Sequence, residues 1–255
     1  MRILLTNDDG IYAKGIEVLH AHLCKDYEVV VVAPETEQSA VGHAITLTDP
    51  LRVKSVDRNG AFFGYAVKGT PADCVKLAIN ELVELAPDLV VSGINLGANV
   101  GINVIYSGTV SAATEGTILG VPAIAFSINS FRDPDFEPAA RFARLLVQQV
   151  GEHGLPPHTS LNVNVPAIPE SKIKGVRVTR QGITRFVEKF DRRVDPRENV
   201  YYWQCGSTPP LDEDGNTDAS ALANDCISIT PIQHDLTNYD FLESLRSWSF
   251  PRVSD

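Results

Sequence analysis

The 255-residue sequence predicts an α/β fold: a doubly wound, mainly parallel sheet with helices on both faces and a strand-rich C-terminal arm. Two observations carry this reading. Short, almost continuously apolar runs at residues 3–5, 28–33, 89–91 and 122–127 alternate with segments of helical spacing. A strand that is apolar at every position must be covered on both faces, as in the parallel sheets of α/β proteins.

Taken in order, residues 2–6 form the first strand. Residues 15–23 follow with Ile16, Leu19 and Leu23 on one helical face. The second strand, 28–33, is β-branched and bounded by Pro34. Residues 50–67 read as an inserted antiparallel pair. Val53 and Val56 lie on one arm, Phe62, Phe63, Tyr65 and Val67 on the other, around the hairpin dipeptide Asn59-Gly60. Residues 71–85 carry Cys74, Val75, Ala78, Ile79 and Leu82 at a helical period, with Thr70 as N-cap and Pro71 in the first turn. A third buried strand at 89–91, a helix at 109–119, a fourth strand at 122–127 and an amphipathic helix at 137–150 complete the alternation.

The pattern changes after about residue 155. Residues 161–165 alternate apolar and Asn, and further strands are expected at 176–179, 183–190, 200–204 and 226–232. A polar loop at 209–218 and a closing helix at 239–248 finish the chain. We divide the chain at this shift. Residues 1–155 are the α/β core carrying the site. Residues 156–255 complete the same domain with a β-arm and a C-terminal helix, the expected oligomerisation element.

A net charge of −10 argues against the basic stripe that a nucleic-acid duplex or an anionic membrane needs. No apolar run approaches the ~20 residues of a membrane span. Cys24, Cys74, Cys205 and Cys226 are far apart and form no C-x-x-C pair, as expected of free thiols. With no leader-like segment before the first strand, the expected compartment is the cytoplasm.

In an open α/β sheet, ligands bind beyond the carboxyl ends of the strands. After the first strand stand Asn7, Asp8, Asp9 and Gly10; after the second, Pro34, Glu35, Gln38 and Ser39; after the third, Ser92, Gly93, Ile94 and Asn95, then a loop through Gly97 and Gly101. Adjacent carboxylates repel unless a cation lies between them, and oxygen ligands from Asp, Asn and Ser suit Mg²⁺ or Mn²⁺. Asp-Gly alone is also an ordinary turn; the convergence of three oxygen-bearing loops favours the metal. Ser107-Gly108-Thr109 opens a helix, and free N–H groups there suit a phosphoryl group, although an ordinary Ser/Thr cap has the same sequence. The Lys of a phosphate-cradling nucleotide loop is missing. His43, four residues after Ser39, is a candidate general acid; the commoner alternative is a solvated loop histidine.

These residues resemble the signature of the SurE family, the survival-protein-E-type 5′-nucleotidases. The likeness lies in Ile3-Leu4-Leu5-Thr6-Asn7-Asp8-Asp9-Gly10, Ser92-Gly93-Ile94-Asn95-Leu96-Gly97 and Tyr106-Ser107-Gly108-Thr109 with Glu115-Gly116. It continues in Leu161-Asn162-Val163-Asn164-Val165-Pro166 and in Thr217-Asp218 leading to Ser228-Ile229-Thr230-Pro231, so that it spans nearly the whole chain. The resemblance implies a Rossmann-like core and one divalent metal ion per subunit at Asp8, Asp9, Ser39 and Asn95. The implied reaction is hydrolysis of nucleoside monophosphates, with Asp8 and Asp9 catalytic and Asn95, Ser107, Gly108 and Thr109 on the phosphate. It also implies a homodimer or homotetramer, partly through exchanged arms. Whether water or an aspartate attacks phosphorus stays open. Two rivals from other classes fit less well. A signalling receiver needs an acceptor Asp after the third strand and a late Lys, and the chain has Ser92 to Asn95 and Ser127-Ile128-Asn129 there. A non-catalytic nucleotide-binding module needs glycines in G-x-G-x-x-G order after the first strand.

Overall fold

The structure is a computed structural model describing residues 1–183, 187–207 and 215–250. Its centre is a nine-stranded sheet. The chain begins in β1 (Arg2–Thr6), crosses through α1 (Lys14–Leu23) and pairs β2 (Glu28–Pro34) parallel to β1. The hairpin of β3 (Arg52–Arg58) and β4 (Ala61–Lys68) turns at Asn59 and Gly60, both at positive φ (53° and 80°), the geometry that favours Asn-Gly. The inserted pair extends the main sheet, because β4 lies parallel to β2 and leaves β3 as an antiparallel edge. After α2 (Pro71–Leu77) the chain returns to the far side of β1 as β5 (Leu89–Leu96). Then α3 (Gly108–Ile118), β6 (Ala123–Ile128), α4 (Glu137–His153) and β7 (Thr159–Val165) extend the sheet in the same sense. The edge is completed by β8 (Val176–Val178) and β11 (Ile227–Gln233), with β11 antiparallel to β7. The strand order is β3-β4-β2-β1-β5-β6-β7-β11-β8.

Winding reverses between β1 and β5, and side-chain alternation explains why both faces are covered. Ile3 and Leu5 of β1 point into a core filled by Ile16 and Leu19 of α1 and Ala140 and Ala143 of α4. Leu4 points to the other face, onto Cys74 and Val75 of α2 and Ala112 and Ala113 of α3. Burying one such Leu side chain stabilises by roughly 1.5–3 kcal/mol, so neither face folds without its helices.

The remaining strands, β9 (Val187–Val194) and β10 (Val200–Ser207), form a separate antiparallel hairpin, preceded and followed by residues outside the described set. The chain closes with α5 (Asp218–Ala223), β11 and α6 (Tyr239–Arg246). No helix among the described residues is long and apolar enough to cross a membrane.

Several elements differ from expectation. Helix α2 gives way at Ala78–Leu82 to a wider turn and stops before residue 85, because Leu85 is 64% exposed and offers no anchor to the core. Strand β5 runs to Leu96, past the apolar run at 89–91. Within the described residues the strand expected at 183–190 runs from Val187 on to Val194; Asp191, Arg192 and Arg193 conceal its C-terminal extent, and a turn from Asp195 to Asn199 sets its register. Part of that expected strand (184–186) and of the expected loop (209–214) lies outside the described residues. Helix α5 is an element that the sequence pattern does not predict; Thr217 caps it by accepting from Ser220 N at 3.3 Å.

Candidate active site

The carboxyl ends of β1, β2 and β5 meet at the switch point, and the Asp8-Asp9 pair touches a group from each neighbouring segment. The Asp8 carbonyl accepts from Gln38 N at 2.8 Å, tying β1 to the loop after β2 that carries Ser39. Asp9 Oδ2 accepts from Leu96 N at 3.2 Å, at the end of β5. Asp8 Oδ1 accepts the hydroxyl proton of Thr109, in the first turn of α3. Asn7 braces the bend by donating to Gly10 O at 2.9 Å.

An open cleft of about 540 Å³ lies over this junction. Asp8, Ser39, Asn95 and Ser107 line it, together with Asn99 and Asn103 from the loop beyond β5. Its outer wall carries Tyr106 and Phe131, 55% and 85% exposed, and the hairpin contributes Glu188 and Gln204. Asn95 donates its amide to Gly97 O at 2.7 Å, which fixes the side chain and leaves Oδ1 as a free acceptor. Ser39 is exposed and donates its hydroxyl to Glu37.

Asp8 is 6% exposed. Burial raises its pKa, and the hydroxyl and backbone N–H of Thr109 only partly offset this. Burial, then the neighbouring Asp8 charge, pushes Asp9 up to about 7. Among the described residues no Lys or Arg lines the cleft. Nor does any group of three or more His, Cys, Asp or Glu side chains form a metal cluster among them. What the site offers is a mixed all-oxygen set, two carboxylates with a hydroxyl and an amide oxygen, at a point short of positive charge. That chemistry fits a hard divalent cation.

Not every expected residue stands on the cleft. Asp9 is half-buried and is not among the lining side chains; it meets the junction from behind, through Leu96. The N-terminus of α3 is also largely occupied. Ser107 Oγ accepts from Val110 N at 3.1 Å, and Thr109 gives both its donors to Asp8. Gly108 is buried against Asp8. The helix end therefore serves Asp8 directly, and Ser107 is the residue of this turn that reaches the cleft.

His43 does not line the cleft. Its Nε2 lies 2.7 Å from Oε2 of Glu115, a residue 2% exposed in α3, whose other oxygen accepts from Lys76 at 2.8 Å. Burial would raise the Glu115 pKa, but these two partners outweigh it and hold the carboxyl below its usual range. The His43→Ala variant should therefore lose about 1–3 kcal/mol of stability by leaving a buried carboxylate short of a partner. Its kcat should stay within about 10-fold of wild type, against the loss of 10²-fold or more expected of a general acid. Thermal unfolding beside initial-rate assays separates the two roles.

Reading from the sequence missed Tyr106 and Phe131 as cleft walls, and Glu188 and Gln204, which arrive from a distant hairpin. It noted Asn162, Asn164 and Asp218 only within motifs and gave them no task.

Fold and cleft together define a class: an open α/β protein whose ligand cleft lies at the switch point of its sheet, beside a desolvated carboxylate pair. Residues 3–188 match the family described as Survival protein SurE. The chain is 60% identical over 249 residues to the 5′-nucleotidase SurE of Syntrophobacter fumaroxidans, covering 98% of this chain and 100% of that one. It is 58% identical over 248 residues to the 5′-nucleotidase SurE of Syntrophus aciditrophicus, covering 97% and 93%. The crystal structure of SurE protein from Aquifex aeolicus matches with a TM-score of 0.85 at 41% identity, over 96% of this chain and 98% of that one. The chain belongs to the SurE family.

Proposed function

We propose that this chain is a metal-dependent 5′-nucleotidase, hydrolysing nucleoside monophosphates to nucleoside and phosphate. The observation that carries the reading is the desolvated Asp8-Asp9 pair, with no cationic side chain beside it among the described residues, at the foot of a cleft with aromatic walls. The name 5′-nucleotidase borne by the relatives supports the same reaction.

Asp8, Asp9, Ser39 and Asn95 would hold one Mg²⁺ or Mn²⁺ ion. When bound, the ion supplies Lewis acidity at a phosphoryl oxygen and neutralises the carboxylate pair. Thr109 fixes the rotamer of Asp8, and Gly97 fixes that of Asn95. Asp9, with a single backbone N–H at 3.2 Å, keeps carboxylate lone pairs with which to hold the ion from behind Asp8. Tyr106 and Phe131 offer exposed ring faces on which a nucleobase stacks.

The test is phosphate release from a panel of nucleoside 5′- and 3′-monophosphates, with Mg²⁺ or Mn²⁺ and then with EDTA. Release should fall by roughly 10²-fold or more in EDTA and return with added metal. Folded protein that releases no phosphate with either ion removes the reading.

Self-association is part of the same proposal. Phe190, Tyr202 and Trp203 are each about 60% exposed on a hairpin that pairs with no other strand among the described residues. An isolated two-stranded hairpin with that much apolar surface is marginal in water, which supports a homodimer or homotetramer built through the arm. Light scattering should find a dimer or tetramer, and Trp203→Glu should shift it toward monomer. A cytoplasmic setting accords with the exposed thiols of Cys24 and Cys205.

A further inference from the structure

A pair of histidines stands far from the cleft, at the opposite end of the sheet. The antiparallel ladder of β7 and β11 ends on Gln233 opposite Thr159, so His234 and His158 form the next rung. Strand β7 runs parallel to β6, β6 to β5 and β5 to β1. Its first residues therefore mark the end of the sheet away from Asp8 and Asp9. The two imidazole rings are 5.3 Å apart between centroids, with their planes at 86°.

Neither imidazole has a hydrogen-bond partner among the described residues, and Nδ1 of His234 is shut off from water as well. A buried ring nitrogen left in that state costs stability, and edge contact with another ring does not satisfy it. His158 is exposed and holds a φ of +62°, where Gly would be the unstrained choice. The spacing of the rings offers a reason for both features. A tetrahedral ion with metal–nitrogen bonds of about 2.0–2.1 Å sets two imidazole centroids about 5 Å apart. Imidazole nitrogen suits Zn²⁺, Cu²⁺ or Ni²⁺, whereas the oxygen donors of the cleft suit Mg²⁺ or Mn²⁺.

We propose that His158 and His234 form a second metal site, for Zn²⁺ or another nitrogen-seeking divalent ion, separate from the cleft. The pair supplies two ligands and water the others, since among the described residues no third His, Cys, Asp or Glu joins them. Asp235, next in the chain, is engaged elsewhere: its carboxylate accepts from Thr237 N at 2.9 Å and from the Tyr239 hydroxyl. The exposed side of His158 gives the ion its way in. A bound ion ties the end of β11 to the start of β7, where the chain leaves for α6, a helix with no buried residue. Its work there is structural, because a site split between two strands exists only in the folded chain. The inference is independent of the phosphatase reading.

The experiment titrates the tag-free full chain, in excess Mg²⁺, with Zn²⁺ by calorimetry and with Cu²⁺ by electron paramagnetic resonance, which reports coupling to ligand nitrogens. Every protein carries Cys24→Ser, because Cys24 Sγ lies 3.2 Å from His20 Nε2 and that pair would also take a soft ion. This parent should bind Zn²⁺, and its Cu²⁺ spectrum should show two coupled nitrogens. Loss of an outer partner costs a metal site about 10- to 100-fold, so removing a direct ligand should cost no less. His234→Gln and His158→Gly should each weaken Zn²⁺ binding by at least that much and remove the two-nitrogen spectrum. Glycine accepts the positive φ at 158, so that variant keeps the fold. Zn²⁺ should raise the unfolding temperature of the parent and of neither variant. Phosphate release with Mn²⁺ should stay at the parent rate in both, which keeps the site apart from the cleft. Zn²⁺ affinity and nitrogen coupling that survive both substitutions overturn the proposal, and so does a parent spectrum without two coupled nitrogens. Should one variant fail to fold, the other and the parent spectrum still decide.

Discussion

Asp8→Asn should cut phosphate release by roughly 10³-fold or more, yet leave the metal-free protein more stable than wild type. The two effects have one cause. Asp8 is buried beside a second carboxylate, and nothing cationic among the described cleft residues offsets the pair. Burial raises both pKa values, which means that the fold holds these groups at a cost when they are ionised. Asn has the same shape and still accepts the Thr109 hydroxyl through Oδ1, so the junction keeps its geometry. It cannot supply the charge that would hold the metal.

The pH dependence follows the same sign. Asp9 has a folded value of about 7 against an ordinary 3.8, so its protonated form stabilises the fold at low pH. That contribution is complete below the unfolded value and is lost as pH rises through about 7, with an upper bound of about 4 kcal/mol. Metal-free wild type should therefore lose stability from about pH 4 to pH 7 relative to Asp9→Asn, and Mn²⁺ should restore it above pH 7. Calorimetry in EDTA at both ends of the range, for wild type, Asp8→Asn and Asp9→Asn, measures the difference while cancelling the other carboxylates. An Asp8→Asn protein that hydrolyses at near-normal rate, or one destabilised without metal, contradicts the account of the site.

Sequence made the scaffold legible because doubly wound packing imprints a simple pattern. Runs such as Leu89-Val90-Val91 are apolar at every position, since alternate residues face different helices. It made the strand-end groups legible for a related reason: once β1, β2 and β5 are placed, Asp8, Ser39 and Asn95 must converge. What it hid depends on three-dimensional context. Asn162 and Asn164 look like the wet face of a strand, and only the loop beyond β5 makes that face dry. Thr109 reads as a phosphate donor until Asp8 is seen to take its hydroxyl and its N–H. His43 reads as a candidate acid until Glu115 is found buried beneath it. Glu188 and Gln204 carry no signal, because their place on the cleft depends on where the hairpin lies. Periodicity reports burial against solvent well. It does not tell a polar residue facing water from one facing a buried backbone.

Gly108→Ala should abolish most activity, by roughly 10²-fold or more, although Ala is ordinarily the better helix former by about 1 kcal/mol. Gly108 is the first residue of α3, and its φ is not positive, so the backbone itself would accept Ala. Space is the obstacle. A Cβ there would lie 2.8 Å from Asp8 Cβ, 3.0 Å from Asp8 Oδ2 and 3.1 Å from Pro71 Cγ. None of these neighbours is the loose end of a long side chain. Asp8 is pinned by its strand, by Gln38 and by Thr109, and Pro71 is buried in the first turn of α2. Either α3 withdraws, carrying Thr109 off Asp8, or the Asp8 carboxylate rotates away from Asn95 and the cleft. Overpacking of this kind costs about 1–3 kcal/mol, more than the gain in helix propensity, so the unfolding temperature should fall as well. Mn²⁺ titration tells the two responses apart. A rotated Asp8 weakens metal binding strongly, whereas a withdrawn helix spares the metal and slows turnover. A variant with wild-type affinity, rate and stability would show that Asp8 and the start of α3 are not in contact, and the reason for a glycine at this turn would be lost with it.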